Sequence, residues 1–307
     1  TTTTTAVPSV KLIVCTVSET ATSEDMYPEA EYCDYLFYTD VITFNGHIEA
    51  KKDPVSWDVF QKRGPKYRLV QLGISFHLQN VTPNGLDDAS NDLNALRREG
   101  IRHYGLLNVL SYQRDFQKTV MSTKGVLKRM KEMQREETAK IVLAIGSYGY
   151  ANIYRINLRH GFREAVNDLS ANMVVLITSV GWIGPQGTCV AAPPNPVITP
   201  NQRYFSLICE PTNVTGSTME YLGSPMFTYG IISNSSKVLT MGELNDTLAL
   251  KFAYATRTFG ELRARTVWLL YNVHNVGIGN QCGDRPFDVI RQFCYSLRGA
   301  SDERCQD

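Results

Sequence analysis

The seven cysteines, Cys15, Cys33, Cys189, Cys209, Cys282, Cys294 and Cys305, include no C-x-x-C pair. That absence argues against the usual thiol-zinc and redox motifs. The five histidines, His47, His77, His103, His160 and His274, stand apart without metal-ligand spacing, so no metal site is expected. No Gly-x-Ser-x-Gly elbow and no P-loop occurs, and Gly277-Ile-Gly279-Asn-Gln-Cys-Gly283 lacks dinucleotide spacing and reads as a tight turn. No cofactor is therefore expected. No apolar run reaches the roughly 18 residues of a membrane span. A formal net charge of +1 gives no general pull toward nucleic acid or an acidic membrane. Nucleic-acid binding and membrane insertion are both left out.

What is present is a rhythm. Eight β-rich runs have centres near 13, 37, 71, 106, 143, 176, 206 and 268. They are Val10 to Val17, Cys33 to Ile42, Tyr67 to Phe76, Ile101 to Leu110, Lys140 to Ile145, Met173 to Val180, Arg203 to Cys209 and Arg265 to Leu270. The first seven follow one another at about 24 to 37 residues, the beat of successive strand–helix units of about 30 residues or more. Helical patterns fill the gaps, at Asn91 to Glu99 before Gly100 and at Ser122 to Glu137, where Val126, Leu127, Met130 and Met133 form one stripe. The charges of the second segment read as a solvated helix face.

The last gap, about 62 residues, is too long for one helix. It holds Tyr221 to Ser233 and a helical pattern at Asn245 to Phe259, so a short insertion is expected between strands 7 and 8. With 307 residues and 43% hydrophobic side chains, the fold class is α/β, a (β/α)8 TIM barrel. The expected boundaries are a Thr-rich tail at 1–9, one barrel at 10–298 with a reduced insertion at about 213–245, and a tail at 299–307. The chain starts with neither Met nor an apolar signal region, as expected of a mature secreted chain or of a trimmed one. Sequons at Asn80, Asn213, Asn234 and Asn245 favour a secreted glycoprotein with those sites on surface loops. In that setting the cysteines read as oxidised pairs with one thiol left over.

In such a barrel chemistry sits at the carboxyl ends of the strands. The fourth run, Ile101 to Tyr112, ends in Leu110, Ser111 and Tyr112 and carries no carboxylate. Acids at other strand ends are Glu19, Asp40, Asp115 and Glu210, of which Asp40 and Glu210 follow the second and seventh strands. A solvated or helix-capping carboxylate is the simpler account of each. Aromatics gather after the strands: Phe76, Tyr112, Tyr148, Tyr150, Trp182 and Trp268. Sugar rings stack on such faces, but aromatics at a barrel mouth also pack on one another.

Val267-Trp268-Leu269-Leu270, then Asn280-Gln281-Cys282-Gly283, Pro286-Phe287 and Ile290, resemble the closing pattern of the glycoside hydrolase family 18 chitinases and their non-catalytic relatives. The stretch Ser224 to Ser233 looks like that family's small inserted subdomain in shortened form. The resemblance implies a disulfide between Cys15 and Cys33 and a sugar-flooring role for Trp268; from the aromatics after the strands, Tyr112, Tyr148 and Trp182 are further ligand-binding candidates. It also implies a D-x-x-D-x-D-x-E motif on the fourth strand. Aligned on Gly105, the four acidic positions hold Tyr104, Leu107, Val109 and Ser111. The family's Met-x-Tyr-Asp at the end of the sixth strand is replaced by Ile177-Thr178-Ser179-Val180. A glycosidic oxygen leaves poorly unless it is protonated, and a positioned general acid contributes roughly 10²- to 10⁴-fold. The expectation is a secreted chitinase-like protein, nearest to those of arthropods, with no catalytic residues. It would act by binding a glycan or a host or receptor protein. A hydrolase with relocated acids and a structural or storage protein are the alternatives, and the oligomeric state is open.

Overall fold

The computed structural model describes residues 12–28, 31–52, 54–134, 137–148, 155–177, 220–221, 228–233, 238–242, 267–271, 273, 287–299 and 301–306. The barrel-wall strands are β1 (Leu12–Val17), β2 (Tyr35–Phe44), β4 (Gln71–Phe76), β5 (Ile101–Tyr112), β6 (Ile141–Tyr148), β7 (Met173–Ile177) and β11 (Val267–Leu270). They run in the order β11-β1-β2-β4-β5-β6-β7, every neighbouring pair parallel. A short β3 (His47–Ala50) folds back antiparallel on β2 as a hairpin. Three short antiparallel strands, β8 (Glu220–Tyr221), β9 (Thr228–Ser233) and β10 (Val238–Gly242), form a separate sheet within the stretch expected as an insertion. The chain is a (β/α)8 barrel. The expected strand at 203–209 and the helical pattern at 245–259 lie outside the described residues.

The helices are α1 (Pro54–Arg63), α2 (Pro83–Asp88), α3 (Ser90–Arg98), α4 (Phe116–Ser122), α5 (Lys124–Met133), α6 (Arg155–Asn167) and α7 (Asp288–Arg298). Local chemistry sets their ends. Thr82 caps α2 by accepting from the Gly85 amide at 3.0 Å, and Pro83 occupies the first turn. Gly100, at φ +89, supplies the left-handed step between α3 and β5. The helix expected at 122–137 is α5, at Lys124–Met133, and α4 precedes it as a separate helix. They part at Thr123, whose hydroxyl donates back to the Val120 carbonyl at 2.7 Å.

Alternation along the wall separates two apolar layers. Outward residues such as Ile13, Leu36, Ile74, Leu106, Leu143 and Ile145 join the helices in the main core. Inward residues form a second cluster, Val14, Tyr35, Phe37, Leu107, Val142, Ala144 and Val175, with Leu12, Met173, Ile177 and Leu269 against it. This is the lumen, and it is filled with side chains as barrel interiors are. Gly73 of β4 is required there. A Cβ would stand 2.7 Å from Cδ1 of the Phe37 ring and 2.8 Å from the His103 carbonyl oxygen.

The segment expected as a tail after 298 packs where it is described, at 301–306. Cys305 is fully buried and joined to Cys294, and Arg304 donates to Asp34 at 2.7 Å. Burial of that disulfide and of the Asp34 contact draws the segment onto the foot of the barrel.

Candidate functional site

The carboxyl ends of β1, β2, β4, β5, β6, β7 and β11 form the described part of the mouth. Two β-bulges shape it. One lies in β2 between Tyr38 and Val41, the other in β5 between Leu106 and Val109. A bulge adds a residue and re-aims the side chains beyond it. On β5, Leu106 and Val109 both face the helices, so Leu107 and Asn108 share the inner side. Leu110 is also inner, since its Cδ2 would meet a Cβ on the lumen-facing Gly146.

The bulge corrects the ungapped alignment. Tyr104 is buried on the helix side, edge-on to Phe76, and Val109 lies in the same outer core. Ser111, on the Val109 side of the strand, donates its hydroxyl to the Tyr112 carbonyl at 3.1 Å. Of the four aligned positions only Leu107 enters the lumen. The residues that point inward toward the mouth are Leu107, Asn108, Leu110 and then, by alternation, Tyr112. None is a carboxylate. The extra residue of the bulge shifts the register by one.

Trp268 is also placed differently from the expectation. It pairs in register with Ile13, packs against the main core, and meets Phe293 of α7 with ring centroids 5.7 Å apart at 74°. Its ring therefore lies on the outer face of the wall, and Leu269 takes the lumen side. Phe76 is buried. Tyr112 is exposed at the mouth, at 66%. The side chain of Tyr148, and Tyr150 and Trp182 altogether, lie outside the described residues, as do Glu210, His274, Thr178 to Val180, and the sequons at Asn213, Asn234 and Asn245.

The Cys15–Cys33 disulfide joins β1 to the start of β2, as the resemblance implies. Asn80 is exposed on the turn after β4, its Oδ1 2.8 Å from His77 Nδ1, while His77 Nε2 is 2.8 Å from Lys51 Nζ. Among the acids, Glu19 pairs with Lys52 at 2.7 Å, and Asp115 lies near Arg114 on the surface. Asp40 alone of the described candidates meets the inner end of β5. The β2 bulge holds it at φ 64, and its Oδ1 accepts from Asn108 Nδ2 at 3.1 Å.

Tyr271, two residues beyond the lumen-facing Leu269, reaches across and donates its hydroxyl to the Leu107 carbonyl. Burial pushes that phenol far above its ordinary value, with the negative charge of Asp40 adding to the effect. It acts as a neutral donor. Ser75 accepts from the Leu107 amide at 2.8 Å, so both backbone groups of Leu107 are bound from across the wall. Lower in the lumen, burial pushes the His103 imidazole down to about 3. Its Nδ1 accepts from the Lys140 amide at 2.9 Å and its ring stands edge-on to Tyr35. Sequence reasoning passed over Asn108 and Tyr271. A lone amide inside an apolar strand was the available signal for the first; alternation from Leu269 was the signal for the second.

No group of three or more His, Cys, Asp or Glu side chains that would hold a metal occurs among the described residues. No helix among them is long and apolar enough to cross a membrane. No protein-family model matches the chain, and no curated protein matches it. Solved structures do match. The class they define is one of fold, the barrel that chitinases and chitinase-like proteins share. Human YKL-39, described as a pseudo-chitinase with retained chitooligosaccharide binding, aligns over 93% of this chain and 99% of its own, at 10% identity and TM-score 0.55. The class V chitinase of Nicotiana tobaccum aligns over 94% and 99%, at 9% identity and TM-score 0.53. A chitinase of Chromobacterium violaceum aligns over 94% and 98%, at 10% identity and TM-score 0.53. At such identities the likeness is one of fold.

Proposed function

We propose that this is a chitinase-like protein that does not cleave glycosidic bonds and acts by binding, with a glycan as first partner. The observation that carries the reading is the inner end of β5, where Leu107, Asn108, Leu110 and Tyr112 offer no acid to protonate a leaving oxygen. Glycoside hydrolysis in this manner needs a general acid beside the bond that breaks, and an anion to orient the attacking group. Asp40 is one carboxylate, and Asn108 engages one of its oxygens. The chitooligosaccharide binding described for the pseudo-chitinase YKL-39 supports a binding role on this fold.

Secretion belongs to the same proposal, as a glycoprotein of the sort arthropods secrete. Two disulfides and an exposed sequon asparagine at Asn80 support passage through an oxidising compartment. A host or receptor protein as partner, and a storage role, remain within this reading.

The test is incubation with a fluorogenic chitooligosaccharide across about pH 4 to 8, the range in which a carboxylic general acid operates. No turnover is expected. The second reading, a hydrolase with a relocated acid, is favoured by one observation, the position of Asp40 beside Tyr271. Turnover abolished by Asp40→Asn would establish it and overturn the first.

A further inference from the structure

β4 lies between β2 and β5 in the wall, yet Asp40 of β2 and Asn108 of β5 touch. Each is thrust out by its own bulge, and the β4 residue in register with Gly105 of β5 is the small Ser75, whose hydroxyl is already used by the Leu107 amide. Two separate distortions of the wall thus converge on one polar contact. Asp40 also adopts a left-handed backbone that a residue with a Cβ seldom takes, and its own carbonyl is held by the Lys51 amide at 3.0 Å.

A mouth that only needed filling would take apolar side chains, as the lumen below does. A half-buried carboxylate there costs solvation unless it is bonded. Among the described residues Asn108 satisfies Oδ1, and no hydrogen bond reaches Oδ2. Four positions further along the same two strands stand the exposed aromatics Phe44, at 54%, and Tyr112, at 66%. A carboxylate oxygen with an amide beside it and aromatic faces beyond suits a ligand that offers hydroxyl or amide donors along with apolar ring faces. That is the chemistry of a neutral oligosaccharide.

We propose that Asp40, positioned by Asn108, is the anchoring acceptor of the barrel mouth. Its outer oxygen takes hydrogen bonds from a hydroxyl or acetamido N–H of a neutral, N-acetylated oligosaccharide, whose further rings extend toward Tyr112 and Phe44. The inference rests on the glycan-binding reading above and names the group on which that binding depends.

Isothermal titration with an N-acetylated chitotetraose tests it on the wild type, Asp40→Asn and Asn108→Ala, with thermal unfolding of each protein alongside. Asparagine tolerates the left-handed backbone, so Asp40→Asn removes the charge and keeps the turn. Loss of a charge-assisted hydrogen bond weakens binding by about tenfold or more. That loss is expected in Asp40→Asn at an unchanged unfolding midpoint. Asn108→Ala frees the carboxylate without altering β2 and is expected to weaken binding several-fold, which keeps the test valid if Asp40→Asn does not fold. Wild-type binding with undiminished affinity in both variants overturns this inference and leaves the glycan reading standing. Absence of binding by the wild type overturns both.

Discussion

Arg298, near the end of α7, donates to the carboxylate of Asp34 at the foot of β2, across 264 positions of sequence. The guanidinium is almost wholly buried, at 2% exposure, and burial lowers its pKa from the ordinary value while Asp34 opposes the shift. Asp34 also accepts from the Ile13 amide at 2.6 Å and from Arg304 at 2.7 Å. Replacing Asp34 by Ala leaves a buried cation uncompensated. A loss of about 3–5 kcal/mol is expected in urea unfolding. A loss under about 1 kcal/mol would mean that water or another group takes over.

Gly73→Ala forces a Cβ into the Phe37 ring and the His103 carbonyl. Overpacking of this kind costs about 1–3 kcal/mol, and the backbone oxygen, which cannot rotate away, places the cost toward the upper end. Adding Phe37→Leu should recover part of it, and the double-mutant cycle reads the coupling directly. Strict additivity would mean the two positions do not meet.

His103 makes stability depend on pH. Its folded pKa is depressed to about 3 by burial, against an ordinary 6.5. Above the unfolded value both states are neutral and nothing is lost. As pH falls below about 6.5 the unfolded chain binds a proton that the folded barrel refuses, so stability declines until the folded group titrates near 3. The slope approaches about 1.4 kcal/mol per pH unit for this one group. Urea midpoints between about pH 4 and 7 should flatten in His103→Gln relative to the wild type. An unchanged slope would assign the acid sensitivity to other groups.

Trp268→Ala is expected to lower stability by about 2–3 kcal/mol, somewhat below a fully buried tryptophan, since its ring packs on Phe293 and the outer core. Chitooligosaccharide affinity should not change. A variant that folds normally but no longer binds would return Trp268 to a ligand-facing role.

The strand beat was readable because each parallel strand is a short apolar run between helices, and β1, β5 and β6 begin within two residues of where the sequence puts them. Which face a residue takes was not readable. Wall strands are buried on both sides, so a run such as Val267-Trp268-Leu269-Leu270 has no polar alternation to betray its inner positions. Only pairing with β1 fixes Trp268 outward. The bulge in β5 was hidden for the same reason. Leu106 and Leu107 are chemically alike, and nothing in the letters says that the chain spends one extra residue there. The absence of acids survives both corrections, because no position from Ile101 to Tyr112 carries one.

Asp34 gathers the Ile13 amide, Arg298 and Arg304, while β1 waits for β11 to cover its outer edge. During synthesis, therefore, the first strand emerges with a neighbour on one side only, and the Asp34 carboxylate beside it goes without its cations until Arg298 and Arg304 leave the ribosome. Closure of the ring is a late event by construction. A nascent chain arrested before residue 298 should remain open and protease-sensitive, however complete its earlier strands.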